Sequence, residues 1–176
     1  VTRWTMQMEL PAACLAGQRI KARVDRIKEV SGGRLDIDLH YPGEIVPGYS
    51  EYKAVREGVL DIGYGGSYQW MGDLGMKVVL LGGTGFPGGP TPGQNLAWFY
   101  MGDGLKLANE VLGDWGEVIS LSVGSTELFC HSNVKLETAD AFKGVKFRTM
   151  GPWGEILTTY YGASVVTITG GEIYEA

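Results

Sequence analysis

The chain has 176 residues, of which 44% are apolar and 20% charged, the composition of a globular protein, and no apolar run approaches the eighteen or so residues that cross a bilayer. Its 15 Lys and Arg stand against 20 Asp and Glu for a net charge of -5, and the basic residues are scattered. No stripe matches the charge spacing of nucleic acid, so nucleic-acid binding is excluded as a function class. Length alone is compatible with one substantial core or with one and a half lobes of something larger. The 28 glycines exceed the usual share of about 7% and sit singly between apolar segments, a pattern of many tight turns such as a ligand cleft uses. Cys14 and Cys130 give neither a disulfide framework nor a metal spacing and read as small buried hydrophobes.

Val1-Thr2-Arg3-Trp4 already reads as the start of a strand, so an export signal is expected to have been removed or omitted. From about Ala13 the residues Ala16, Ile20, Val24 and Ile27 recur at helical spacing, and Ser31-Gly32-Gly33 supplies a left-handed cap. Leu35, Ile37 and Leu39 then alternate with Arg34, Asp36 and Asp38 as in a strand, which completes a β-α-β unit. A helix over 50–57 and a strand over 60–64 follow, then the turn Gly65-Gly66-Ser67. Residues 78–81 form a fully apolar run suited to a buried strand, and it empties into 82–93, twelve residues with six glycines and three prolines where no regular element is expected.

A helix is predicted over 95–112, with Trp98, Phe99 and Tyr100 in its core face, then strands over 118–123 and 127–131. A short helix over 138–142, a strand over 145–149, a helix over 153–161 and a strand over 164–168 close the pattern. A last helix opened by Gly170-Gly171-Glu172 stops at Ala176 after barely a turn, and the native chain is expected to continue. Alternation of this kind implies an α/β fold with a mostly parallel sheet covered by helices.

Gly83-Thr84-Gly85-Phe86-Pro87-Gly88 matches the dinucleotide fingerprint G-x-G-x-x-G but fails on context. Pro87, Pro90 and Pro92 block a helix where the phosphate should meet its amino end, and the match is not in the first β-α-β unit. Ser67 and Ser125 lack the glycines of a nucleophile elbow, and neither His40 nor His131, both read as strand residues, is well placed as a base. Arg148 is the most informative charge. It shares a strand face with Lys146, opposite Val145, Phe147 and Thr149, and it lies at the carboxyl end of its strand before a helix. In open α/β sheets that end points into the ligand crevice, and a guanidinium there can grip a carboxylate with two parallel hydrogen bonds. The aromatics Tyr64, Tyr68, Trp70, Phe86 and Trp153 fall in or near loops and are candidates for cleft walls that exclude water.

The stretches SGGRLDIDLHYPGEIVPG, VREGVLDIGYG, and above all FKGVKFRTMG with YYGASVVTITGGEIYEA, resemble the DctP-type solute receptors of TRAP (tripartite ATP-independent periplasmic) transporters from end to end. GGTGFPGG and AWFYMGDG further resemble the branch that binds α-keto and hydroxy acids, some members of which hold a metal ion beside the ligand. The resemblance implies a two-lobed periplasmic-binding-protein type II fold, of which 1–123 would be most of the first lobe and 124–176 the start of the second, continuing beyond the chain end with a crossing near Gly124.

It implies a periplasmic receptor, not an enzyme, that captures a small organic carboxylate and delivers it to a membrane TRAP permease; a homodimer is left open. The family's carboxylate-holding arginine falls on Arg148. Where the metal-using branch has a glutamine, this chain has Glu127, a carboxylate that would repel the ligand's own unless a cation such as sodium or calcium intervened, so Glu127 is also the candidate metal ligand. The expected ligand-binding set is Arg148, Glu127, Trp70, Tyr64, Phe86 and Met150. The alternative is a metal-assisted enzyme acting on a small carboxylic acid on the same fold.

Overall fold

The computed structural model describes residues 1–81, 89–119 and 128–175. The chain packs as two compact units, Val1–Gly66 with Asp114–Gly116, and Ser67–Gly113 with Glu117–Ala176.

In the first unit β1 (Thr2–Met8) leads into α1 (Leu15–Val30) and β2 (Leu35–His40), then α2 (Glu51–Arg56) and β3 (Ile62–Tyr64). The strands form a parallel sheet in the order β2-β1-β3, with Thr2 opposite Leu35 and Met6 opposite Ile62. This is the β-α-β unit that the alternation at 35–39 predicts. The strand expected at 60–64 is shorter, because the Asp61 carboxylate accepts from the Thr5 N–H (2.8 Å) just before β3 begins.

Met6, Met8, Ile20 and Val24 form the core, with Ile37, Leu39, Ile62 and Tyr64 packed around them. The buried face of α1 is Gly17, Ile20 and Val24, narrower than the predicted stripe; Ala16 and Ile27 are exposed. Gly32 and Gly33 take the left-handed φ of 60° and 74° that the cap requires. At the other end the Cys14 sulfur accepts from the Gly17 N–H (3.2 Å), so this half-buried cysteine caps a helix instead of filling the core. Cys130, also half-buried, lies outside any strand.

A fully buried polar side chain holds the loop before α2. Gln7 Nε2 donates to the Val46 carbonyl and to Glu51 Oε1, each at 2.9 Å, while its Oε1 accepts from the Ile45 and Val46 N–H groups at 2.9 and 3.0 Å. All of the amide's geometry is used, which is what lets it sit in the interior. Residues 114–116 join this unit through Trp115, whose ring stacks on Tyr52 (5.7 Å) and lies under the Arg56 guanidinium (3.9 Å).

The second unit begins with a 3-10 turn at Ser67–Trp70, followed by α3 (Met71–Leu74) and a 3-10 segment at Gly75–Leu81. The apolar run 78–81 is therefore not the strand its composition predicts. It winds as a 3-10 segment that buries Val78 and Leu81. A short apolar run carries no period that separates the two outcomes.

The single helix expected over 95–112 is two, α4 (Pro92–Met101) and α5 (Gly104–Leu112). Thr91 and Gln94 form a capping box at the start of α4, with Pro92 in its first turn. Only Phe99 of the predicted aromatic core is buried; Trp98 and Tyr100 are exposed. Ala139–Phe142 is a 3-10 turn, and β4 (Lys146–Arg148), α6 (Gly151–Tyr161) and β5 (Ser164–Val166) form a parallel β-α-β unit with Phe147 opposite Val165. Its core is Phe142, Leu157 and Ala163, flanked by Leu136, Phe147 and Val165. Gly170–Glu175 closes the chain as a 3-10 segment.

Residues 128–131 form no strand, so His131 does not end one, whereas His40 does end β2, within reach of Asp38 (3.3 Å) and Glu44 (3.2 Å). The G-x-G-x-x-G match at 83–88, Ser125, the crossing at Gly124 and most of the strand expected at 118–123 lie outside the described residues. No helix among the described residues is long and apolar enough to cross a membrane.

Candidate functional site

Arg148 ends β4 on the face that the alternation predicts: Lys146 and Arg148 are exposed and Phe147 is half-buried between them. Parallel pairing sets Arg148 beside Val166, so the chain leaving β5 runs past its side chain. Nε and Nη2 both donate to the Ile168 carbonyl, at 3.1 and 3.0 Å. Two bonds to one oxygen fix the plane of the guanidinium at the carboxyl edge of the sheet. Thr149 reinforces the edge, its N–H donating to the Val166 carbonyl (3.2 Å) and its carbonyl accepting from the Thr167 hydroxyl (3.1 Å).

The backbone then turns sharply into α6. Met150 is the extended N-cap residue, half-buried, and Gly151 follows at φ 64°. A Cβ at Gly151 would come within 2.9 Å of the Tyr68 Cβ, so the 3-10 turn Ser67–Trp70 lies directly against the first turn of α6. That turn carries Trp70, half-buried, at its end. The structure thus gathers Arg148, Met150 and the turn holding Trp70 around the amino end of an eleven-residue helix, whose dipole favours negative charge there. Trp153, in the same helix turn, meets Phe129 edge-on at 5.8 Å, and Phe129 also packs on Phe142 and Phe147.

Tyr64 belongs to the first unit, where it ends β3 against the core and its carbonyl accepts from the Glu9 N–H (3.0 Å). Glu127 and Phe86 lie outside the described residues. Among the described residues no three His, Cys, Asp or Glu side chains come together as a metal shell. A depression of ≈ 190 Å³ on α4 and α5, lined by Trp98, Asp103, Lys106, Leu107 and Glu110, contains none of the expected ligand-binding residues.

Two features escaped the sequence reading. Thr169 donates its N–H (2.9 Å) and its hydroxyl (2.8 Å) to Glu172 Oε2, and these bonds, the backbone one foremost, hold the Glu172 carboxyl below its ordinary 4.5. The T-x-x-E spacing is a legible signal for this arrangement. The second is Gln69, whose amide nitrogen and oxygen are both buried without a hydrogen-bond partner among the described residues. Nothing in the sequence marks it.

Residues 6–176 match the sequence profile of DctP, the bacterial extracellular solute-binding protein family 7. The chain belongs to this family. DctP proteins bind solutes and are not enzymes, which removes the metal-assisted enzyme alternative. This DctP chain is 29% identical, over 99% of its length and 47% of the relative's, to a monocarboxylate 2-oxoacid-binding periplasmic protein of Nostoc sp.. It is 26% identical to a TRAP periplasmic solute-binding protein of Pseudoalteromonas atlantica whose structure holds sodium and pyruvate, with a TM-score of 0.84 over 99% of this chain and 52% of that one. A Colwellia psychrerythraea protein with bound calcium and pyruvate shares the fold at 24% identity and a TM-score of 0.83, over 99% and 52% of the two chains. The chain thus spans about half the length of these DctP relatives.

Proposed function

We propose that this chain is the carboxylate-gripping part of an extracytoplasmic receptor that captures a 2-oxo or 2-hydroxy acid and delivers it to a membrane TRAP permease. The observation that carries the proposal is Arg148, held by two hydrogen bonds to Ile168 at the carboxyl edge of β4 and three residues before the amino end of α6. A cation and a helix amino end at one strand edge favour an anionic ligand, and a guanidinium's planar fork suits a carboxylate. The Nostoc and Pseudoalteromonas relatives, one named for 2-oxoacids and the other holding pyruvate, support this ligand class.

In this reading Arg148 pairs with the carboxylate, while Trp70, Met150 and Phe86 shield it from water. Glu127 contributes a hard oxygen donor of the kind sodium and calcium take, and such an ion would relieve its repulsion of the ligand. The lobes divide at 123/124. Removing one partner of a pair that closure buries costs roughly 3 to 5 kcal/mol. Arg148→Ala in the whole protein should therefore weaken binding of pyruvate or lactate by about a hundredfold or more in titration calorimetry. Affinity within threefold of wild type would overturn the assignment.

A further inference from the structure

The 3-10 turn Ser67–Trp70 holds a polar group that no described residue hydrogen-bonds. Gln69 Nε2 and Oε1 are both buried, and neither has a hydrogen-bond partner among the described residues. Gln7 in the first unit shows the contrast, with both of its amide atoms engaged by protein groups. A buried amide left without partners is destabilising, and native chains seldom keep one. The location is informative, since the residue beside Gln69, Tyr68, touches Gly151 in the first turn of α6, three residues after Arg148.

We propose that Gln69 is a specificity-determining residue of the ligand site, with its amide satisfied only when an acid is bound. This inference rests on the carboxylate-receptor reading above. The chemistry of the orphaned atoms narrows the ligand: Nε2 needs an acceptor and Oε1 needs a donor. A 2-oxo acid offers acceptors alone, through its carboxylate and keto oxygens, and leaves Oε1 unsatisfied. A 2-hydroxy acid offers both, its hydroxyl donating to Oε1 while an oxygen accepts from Nε2. Gln69 therefore tilts the site toward 2-hydroxy acids.

Gln69→Met keeps the length of the side chain and removes both polar atoms. In the whole protein, without ligand, it should raise the melting temperature by about 2 °C or more, because an unsatisfied amide is gone. In titrations with lactate and pyruvate it should weaken lactate by about tenfold, and by at least threefold more than it weakens pyruvate. Gln69→Glu keeps an acceptor, loses the donor and sets a negative charge against the acid, so it should weaken both acids by more than about tenfold.

A lower melting temperature for ligand-free Gln69→Met would mean that the amide has partners inside the protein, and would overturn the inference. Equal loss on the two acids, or none, would overturn it as well. The Arg148→Ala control separates the two proposals: if Arg148→Ala abolishes binding while Gln69→Met does not discriminate, only the role of Gln69 fails. If wild-type protein binds neither acid, the receptor reading beneath it fails.

Discussion

At Gly151 two constraints meet in one residue. Its φ of 64° is a conformation that a side chain makes unfavourable by roughly 1 to 2 kcal/mol, and a Cβ would press to 2.9 Å of Tyr68. Gly151→Ala should therefore lower stability by about 2 kcal/mol in urea unfolding, and it should loosen the turn that follows Arg148. A loss under about 0.5 kcal/mol would show that the turn has room to move. Glu172 makes a pH prediction. Because its carboxyl is held below 4.5 by Thr169, the stability this pair contributes is present above that ordinary value and is lost as pH falls through the lower folded one. A side-chain carboxyl NMR titration should place the Glu172 midpoint below 4.5, with Thr169→Val moving it part of the way back because the backbone bond remains. A wild-type midpoint at or above 4.5 would contradict the hydrogen-bond account. Arg148 was legible in the sequence, because alternation assigns its face and a strand-to-helix junction assigns its end. Gln69 was not, because lacking a partner is a property of the packed chain and leaves no mark on spacing.

Among the elements, the first β-α-β unit and the last were legible through period, since strands and helices there run long enough or alternate cleanly enough to be told apart. The failures have local causes. At 78–81 four apolar residues fit a buried strand and a buried turn equally well, and tertiary packing around Val78 decides for the turn. Between α4 and α5 the helical pattern continues through Gly102 and Asp103, yet the chain breaks there; a Cβ at Gly102 or Gly104 would collide with Trp98. Gln7 ties β1 to α2 in a way that no pattern announces, because its partners are 38 to 44 residues away. Gln7→Leu would strand the Glu51 carboxylate, 1% exposed, and free the Ile45 and Val46 N–H groups. A destabilisation of about 3 kcal/mol or more is expected in urea unfolding, and a change below about 1 kcal/mol would show that Glu51 finds other partners.

For the molecule as a whole, this DctP chain contributes one strand edge with its arginine, and spans about half the length of the relatives it matches. The central claim is that an acid is gripped at that edge by Arg148. It is tested most directly by the melting temperature of the whole protein, wild type and Arg148→Ala, with and without lactate or pyruvate in the presence of calcium. Ligand at about a hundredfold over its dissociation constant stabilises the folded state by about 2.7 kcal/mol. The account predicts an upward shift of several degrees for wild type with one of these acids, and at most about a sixth of that shift for Arg148→Ala at the same concentration, where a hundredfold weaker affinity leaves about 0.4 kcal/mol or less. An equal shift in both proteins would place the carboxylate elsewhere and contradict the account.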